Sequence, residues 1–158
     1  MTLLLVLSFL LPWSIYRQMH AHEITPKGLV KLPLIFAAIG VVGLGTREVP
    51  TDAAAIGYLV FSVALSVAFG VWRGARISIW RDQTGVLMSQ GNRTTIVLWV
   101  ALLASKFALG AVASITKWFP VEHAGEVFLF LALSFVAQNL VVARRSLWAG
   151  ARGALAVA

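Results

Sequence analysis

Residues 62–106 read SVALSVAFGVWRGARISIWRDQTGVLMSQGNRTTIVLWVALLASK, and this stretch decides the fold. An apolar run is followed by a basic polar segment, and then by a second apolar run with a lysine in its middle. Long, nearly uncharged apolar runs are typical of helices that cross a membrane. The stretch therefore predicts two transmembrane helices joined by a folded connector, around which the rest of the chain is arranged.

Small residues recur at every fourth position of the first run, at Ser62, Ser66, Gly70 and Gly74. On a helix this spacing forms one smooth groove, which lets another helix approach closely where lipid removes the hydrophobic drive for association. We interpret it as a helix-packing face, through which the protein packs with a second copy of itself or with a membrane protein partner. The alternative is chance, because membrane helices are generally rich in small residues.

The connector, residues 73–93, alternates polar and β-branched side chains and contains Asp82-Gln-Thr-Gly85, a sequence suited to a type I turn. The pattern predicts a short β-hairpin lying against the membrane surface. A helical extension into an amphipathic interfacial helix is the alternative. We expect the basic side chains of the connector to face anionic lipid headgroups or an acidic partner; they are Arg73, Arg76, Arg81 and Arg93.

Composition places the whole chain in a bilayer. Of its 158 residues, 59% are hydrophobic and only 12% are charged, whereas soluble domains have about 25% charged residues. The net charge of +7 sits in short clusters between apolar runs, at headgroup depth, and no nucleic-acid recognition module accompanies it. We therefore expect the phospholipid bilayer, and no nucleic acid, as the partner of these charges. The chain has no cysteine, which excludes disulfides, thiolate chemistry and iron–sulfur clusters.

The apolar segments predict an all-α integral membrane protein with a five-transmembrane-helix bundle as a single domain. The expected helices cover residues 2–16, 28–44, 53–72, 94–116 and 126–143, and residues 144–158 form a tail that lies in the interface or is partly disordered. One set of loops carries ten of the positively charged residues and the other only Arg47 and Lys117. By the positive-inside rule the N-terminus is outside and the C-terminus is cytosolic.

Lys106 is the sharpest signal for a ligand site, because a charge at bilayer depth usually faces protein or water. We expect Ser62, Ser66 and Tyr58 of the third helix, and Gln138 and Asn139 of the fifth, to surround it. Such a niche would hold an anionic or lipid-like ligand. The alternative is a structural polar bridge, or an ammonium group that reaches the cytosolic interface.

No catalytic residues, metal site or cofactor are expected. His20 and His22 are two residues apart and His123 falls in an outer loop, so they do not form the facing pair that haem requires. Glu122, His123 and Glu126 cluster on the outer side, where capping of the fifth helix by Glu126 is the simpler role.

The chain resembles the DUF1453 or CcdC-like family of small bacterial membrane proteins. The residues that carry the resemblance are Tyr16-Arg17-Gln18, Leu32-Pro33, Trp80-Arg81-Asp82 with Gly85, and Leu98-Trp99 before a helix with a basic residue. The resemblance implies a multi-span protein of the bacterial cytoplasmic (inner) membrane with a cytosolic connector, and it brings no established catalytic residues.

These observations favour an accessory or assembly protein that packs with itself or a partner complex and contacts anionic lipid through its connector. The first alternative is a membrane-embedded binding or transport protein with its ligand at Lys106. The second alternative is a small membrane enzyme acting on a lipid-soluble substrate.

Overall fold

A computed structural model describes residues 2–45, 53–116 and 124–155. The predicted outer loops, with Arg47, Lys117 and His123, lie outside the described residues. The helices and strands follow one another as α1 (Thr2–Met19), β1 (His22–Glu23), α2 (Pro26–Leu44), α3 (Ala53–Arg76), β2 (Ser78–Arg81), β3 (Leu87–Gln90), α4 (Arg93–Thr116) and α5 (Ala124–Leu155).

The chain is mostly helical, and four helices, α2 to α5, are long and apolar enough to cross a membrane. The prediction of a helical membrane protein is confirmed at this level. The outward faces suit lipid: α3 alone exposes Leu59, Val60, Phe61 and Val63. A face of this kind is stable against hydrocarbon and would be unfavourable against water.

α5 is the central helix. In its membrane-spanning window 56% of residues are buried, compared with 22% in α2 and in α3. Aromatic rings fill the core around it: the Phe36 and Phe135 ring centroids are 5.2 Å apart, and those of Trp99 and Phe135 are 5.1 Å apart. Aromatic pairs in these tilted arrangements add to the apolar area that they bury.

The small-residue face of α3 packs against α5 of the same chain. The Ser66 hydroxyl donates to the Phe130 carbonyl oxygen at 2.6 Å. A side chain at Gly70 would collide with the Ser134 carbonyl oxygen, and one at Gly74 would come within 2.6 Å of the Gln138 carbonyl oxygen. Because both helices advance by four residues per contact, α3 and α5 run parallel and in register. The packing face is thus used within the fold.

The three strands form one small antiparallel sheet in the order β1-β3-β2. Gly85 has φ +81° in the turn before β3, a conformation that glycine adopts without strain. β1 pairs with β3 through His22 opposite Ser89 and Glu23 opposite Met88. The sequence did not predict β1, because two residues are too few for an alternating pattern. The sheet brings the α1–α2 and α3–α4 connections together at one end of the bundle.

Local capping sets the helix starts at this end. The Thr25 hydroxyl oxygen accepts a hydrogen bond from the Gly28 amide at 3.1 Å, and Pro26 occupies the first turn of α2, where its missing N–H costs little. Asn92 caps α4, since its side-chain oxygen accepts from the Thr95 amide at 3.1 Å.

Two predicted boundaries were wrong. α3 continues through Arg76 rather than ending at residue 72, so the first turn of the predicted connector is helical. α5 continues to Leu155, so the predicted tail from residue 144 is an extension of this helix. Its amino acids lack an apolar stripe, but alanine, leucine and arginine are good helix formers.

Candidate functional site

Lys106 is buried in the bundle, with 2% of its surface exposed. Its ammonium group lies 3.3 Å from the Tyr58 hydroxyl, and 5.2 and 5.1 Å from the ring centroids of Tyr58 and Phe130. Aromatic faces are favourable surroundings for a buried cation. The fold itself therefore supplies the contacts of this ammonium group.

The residues predicted to surround Lys106 divide into two groups. Ser66 donates to the Phe130 carbonyl, next to the lysine, and the buried Ser62 hydroxyl has no hydrogen-bond partner in the described part of the chain. Gln138 and Asn139 do not share this niche. They follow Phe130 by eight and nine residues, about 12 Å further along α5.

The placement of Gln138 and Asn139 beside Lys106 was therefore wrong. Helix directions follow from the topology, but the axial offset between neighbouring helices depends on side-chain packing. The Asn139 amide N–H instead donates to the Leu29 carbonyl oxygen of α2. Asn139 thus joins α5 to the start of α2 at the opposite part of the bundle.

Arg73 was predicted at the lipid surface, and this is wrong. The residue is fully buried, with 0% exposure. Because α3 continues past residue 72, Arg73 follows Gly70 by three residues and lies on the face that packs against α5. Its Nη2 donates to the Ser134 hydroxyl at 2.7 Å, and its guanidinium lies 3.9 Å from the Trp99 ring centroid. Within residues 2–45, 53–116 and 124–155, Nε and Nη1 have no hydrogen-bond partner.

The other three connector arginines are exposed, and further cations lie near them. We call this surface the basic end; its exposed residues are Lys27, Lys31, Arg76, Arg81, Arg93 and Arg144. They come from separate helix ends and from the sheet. Arg145 ties α5 to the same end, because its Nη1 donates to the carbonyl oxygens of Gly74 and Ile77, at 2.8 Å each.

A cavity of about 40 Å³ opens at the basic end, between the end of α1, the start of α2, the sheet and α5. One water molecule requires about 10–15 Å³ by the same measure, so the cavity holds several. Its wall combines apolar side chains with polar ones, and the polar ones include Arg17, Thr25, Ser89, Gln90, Gln138 and Asn139. Sequence reasoning did not find this cavity. Its members come from α1, β1, α2, β3 and α5, so that no spacing in the sequence signals them.

The structure brings together no metal-binding group: among the described residues, no three histidine or acidic side chains lie close enough to hold an ion. His22 is engaged in the sheet, where its Nε2 and the Ser89 hydroxyl are 3.3 Å apart.

Comparison with known proteins adds no family, because no protein-family model, curated protein or solved structure matches this chain.

Proposed function

We propose that this chain is a small accessory or assembly protein of the bacterial cytoplasmic membrane that contacts anionic lipid headgroups through its basic end. The observation that carries the proposal is the convergence of six exposed cations on one end of an apolar bundle. Basic residues near an anionic membrane surface contribute about 1 kcal/mol each to lipid attraction. This end would lie at headgroup depth while the exposed apolar faces lie in the acyl chains.

The proposal includes five spans, with the N-terminus outside and the C-terminus in the cytosol. α1 has 18 residues and would measure about 27 Å, close to the roughly 30 Å of the hydrocarbon core. Trp13 and Tyr16 are exposed near its end, as interfacial aromatic residues are. The charge asymmetry of the loops supports this orientation. Membership of the DUF1453 or CcdC-like family is part of the same proposal, on the residues quoted above.

Any contact with a second copy or a partner complex would use surfaces other than the small-residue face, because α5 occupies that face. The exposed apolar residues of α3 and the basic end are the surfaces that remain. A ligand at Lys106 is the weaker alternative, since the Tyr58 hydroxyl and the rings of Tyr58 and Phe130 already lie beside its ammonium group. A membrane enzyme has less support still: His22 Nε2 and the Ser89 hydroxyl are 3.3 Å apart, but this pair belongs to the β1–β3 pairing, and Ser89 is buried.

Lipid retention tests the proposal. The purified protein, equilibrated with an equal mixture of anionic and zwitterionic phospholipids, is analysed by native mass spectrometry. We expect the anionic lipid to be retained preferentially, and the variant with Arg76→Gln, Arg81→Gln and Arg93→Gln to lose much of this preference. Arg47→Gln with Lys117→Gln is the matched control in the predicted outer loops. Equal retention of both lipids by the unmodified protein would refute the proposal.

A further inference from the structure

The cavity at the basic end has a wall with unused hydrogen-bonding capacity. Gln138 is 3% exposed and lines the cavity, and its Oε1 has no hydrogen-bond partner among the described residues. A buried amide oxygen without a partner is unfavourable, because it has lost its hydrogen bonds to water. The terminal torsion of glutamine has a broad energy profile, so the amide can turn this buried oxygen toward a hydrogen-bond donor in the cavity at little cost.

Neighbouring amides add acceptors to the same wall. Gln90 donates its side-chain N–H to the Met19 carbonyl oxygen at 2.9 Å, and Asn139 donates to the Leu29 carbonyl oxygen. Each of these amides thus has one N–H engaged, and its side-chain oxygen remains as an acceptor. A ligand that pairs the oxygens of Gln90, Gln138 and Asn139 therefore brings hydrogen-bond donors.

The charge around the cavity indicates which kind of hydrogen-bond donor the ligand carries. Arg17 lines the cavity, and the N-terminus of α2 contributes the positive end of a helix dipole through the turn from Thr25 to Gly28. The guanidinium of Arg73 lies 5.5 Å from the ring centroid of Phe135, which also lines the cavity. Glu23 is the one acidic lining residue among those described. Arg17 offsets Glu23, and the start of α2 together with the nearby Arg73 leaves the balance positive. This balance disfavours an ammonium group, so hydroxyl groups on an anion are the fitting donors.

We propose that this open cavity receives the hydroxyl end of a phosphate ester, such as the phosphoglycerol head of an anionic phospholipid or the same head free in solution, with the phosphate at the cavity mouth. Arg17 and the start of α2 receive the phosphate, and Gln138, Gln90 and Asn139 receive the hydroxyls. Apolar side chains complete the wall at Leu29, Leu32 and Phe135, where the glycerol backbone of a lipid continues toward the bilayer. The inference rests on the proposed function in that it places the basic end at the membrane surface.

Short-chain lipids test the proposal on the intact protein in detergent. Thermal unfolding is followed against concentration of dihexanoyl phosphatidylglycerol, phosphatidylserine, phosphatidylethanolamine and phosphatidylcholine, and of free glycerophosphoglycerol. Phosphatidylglycerol and phosphatidylserine carry the same net charge, but only phosphatidylglycerol carries two hydroxyls and no ammonium group. We expect half-saturation by phosphatidylglycerol at about tenfold lower concentration than by phosphatidylserine, the difference that one well-made hydrogen bond provides.

Gln138→Met removes the amide and keeps the length of the side chain. It should raise the half-saturating concentration of phosphatidylglycerol about tenfold and leave that of phosphatidylserine unchanged. Gln83→Met, at an exposed position of the β2–β3 turn, is the matched control and should change neither. Arg17→Gln is the second variant should Gln138→Met fail to fold, and it should weaken binding of the free and lipid-borne head alike. Arg47→Gln, in a predicted outer loop, is its control for charge.

Equal half-saturation by phosphatidylglycerol and phosphatidylserine in the unmodified protein would overturn the inference, as would unchanged phosphatidylglycerol binding in both cavity variants. If free glycerophosphoglycerol half-saturates the protein at the same concentration as phosphatidylglycerol, the inference is supported and the free head is the ligand. Failure of the proposed function is a separate result. If the proposed function fails, phosphatidylserine will shift the unfolding temperature no more than phosphatidylcholine does. This result is independent of the shift that phosphatidylglycerol produces.

Discussion

The guanidinium of Arg73 lies over the face of Trp99, 3.9 Å from the ring centroid, and the Trp99 indole N–H donates in turn to Oε1 of Gln18 at 3.0 Å. This stack joins α3, α4 and the end of α1 in the interior. A desolvated cation over tryptophan gains about 2 kcal/mol, but removing a guanidinium from water costs several. The arrangement therefore fixes the relative positions of three helices more than it adds stability.

Arg73→Met should accordingly change the free energy of unfolding by less than about 2 kcal/mol, since an apolar chain of similar length removes both the attraction and the desolvation cost. Trp99→Ala should lose about 3–5 kcal/mol, because it empties a large part of the core. Both are measured by unfolding of the purified protein in mixed micelles. A loss of stability above about 3 kcal/mol in Arg73→Met would mean that a group other than Ser134 and the rings of Trp99 and Phe135 compensates the charge of Arg73.

Gly70→Ala tests the close approach of α3 and α5. The added methyl group would collide with the Ser134 carbonyl oxygen, so the helices must separate, and we expect a loss of about 1–3 kcal/mol. Gly57→Ala is the matched control in the same helix, because no atom lies within 4 Å of its added methyl group. There the better helix propensity of alanine should leave stability equal or up to about 1 kcal/mol higher. Equal effects at both positions would contradict the observed packing.

The sequence was informative where a pattern repeats along one element. Apolar runs located the membrane-spanning helices, and the four-residue period located the face of α3 on which Ser66 and Gly74 lie. It failed where the answer depends on how elements meet. Arg73 appears basic and interfacial in the sequence, yet one further turn of helix places it on the packing face. Gln138 appeared to belong with Lys106, because the sequence contains no information on the axial offset of α4 against α5.

Lys106→Met tests whether the lysine is part of the packing. The substitution removes the contacts of the ammonium group with the Tyr58 hydroxyl and with the Tyr58 and Phe130 rings, so we expect the variant to be less stable than the unmodified protein. In combination with Tyr58→Phe, which removes only the hydroxyl, the losses should be less than additive, with a coupling of about 0.5–3 kcal/mol in the double-mutant cycle. Unfolding of the four proteins of the cycle gives this value. Additive losses would show that Lys106 and the Tyr58 hydroxyl do not interact.

The absence of cysteine from the sequence makes orientation directly measurable. Single cysteines are introduced as Gln83→Cys in the exposed turn between β2 and β3, and as Lys117→Cys in the predicted outer loop. A maleimide that cannot cross the membrane is then added to intact cells. Because the positive-inside rule places the basic end in the cytosol, we expect Lys117→Cys to react in intact cells and Gln83→Cys to react only after permeabilisation. The reverse pattern would invert the topology and turn the basic end, with its cavity, toward the outer leaflet.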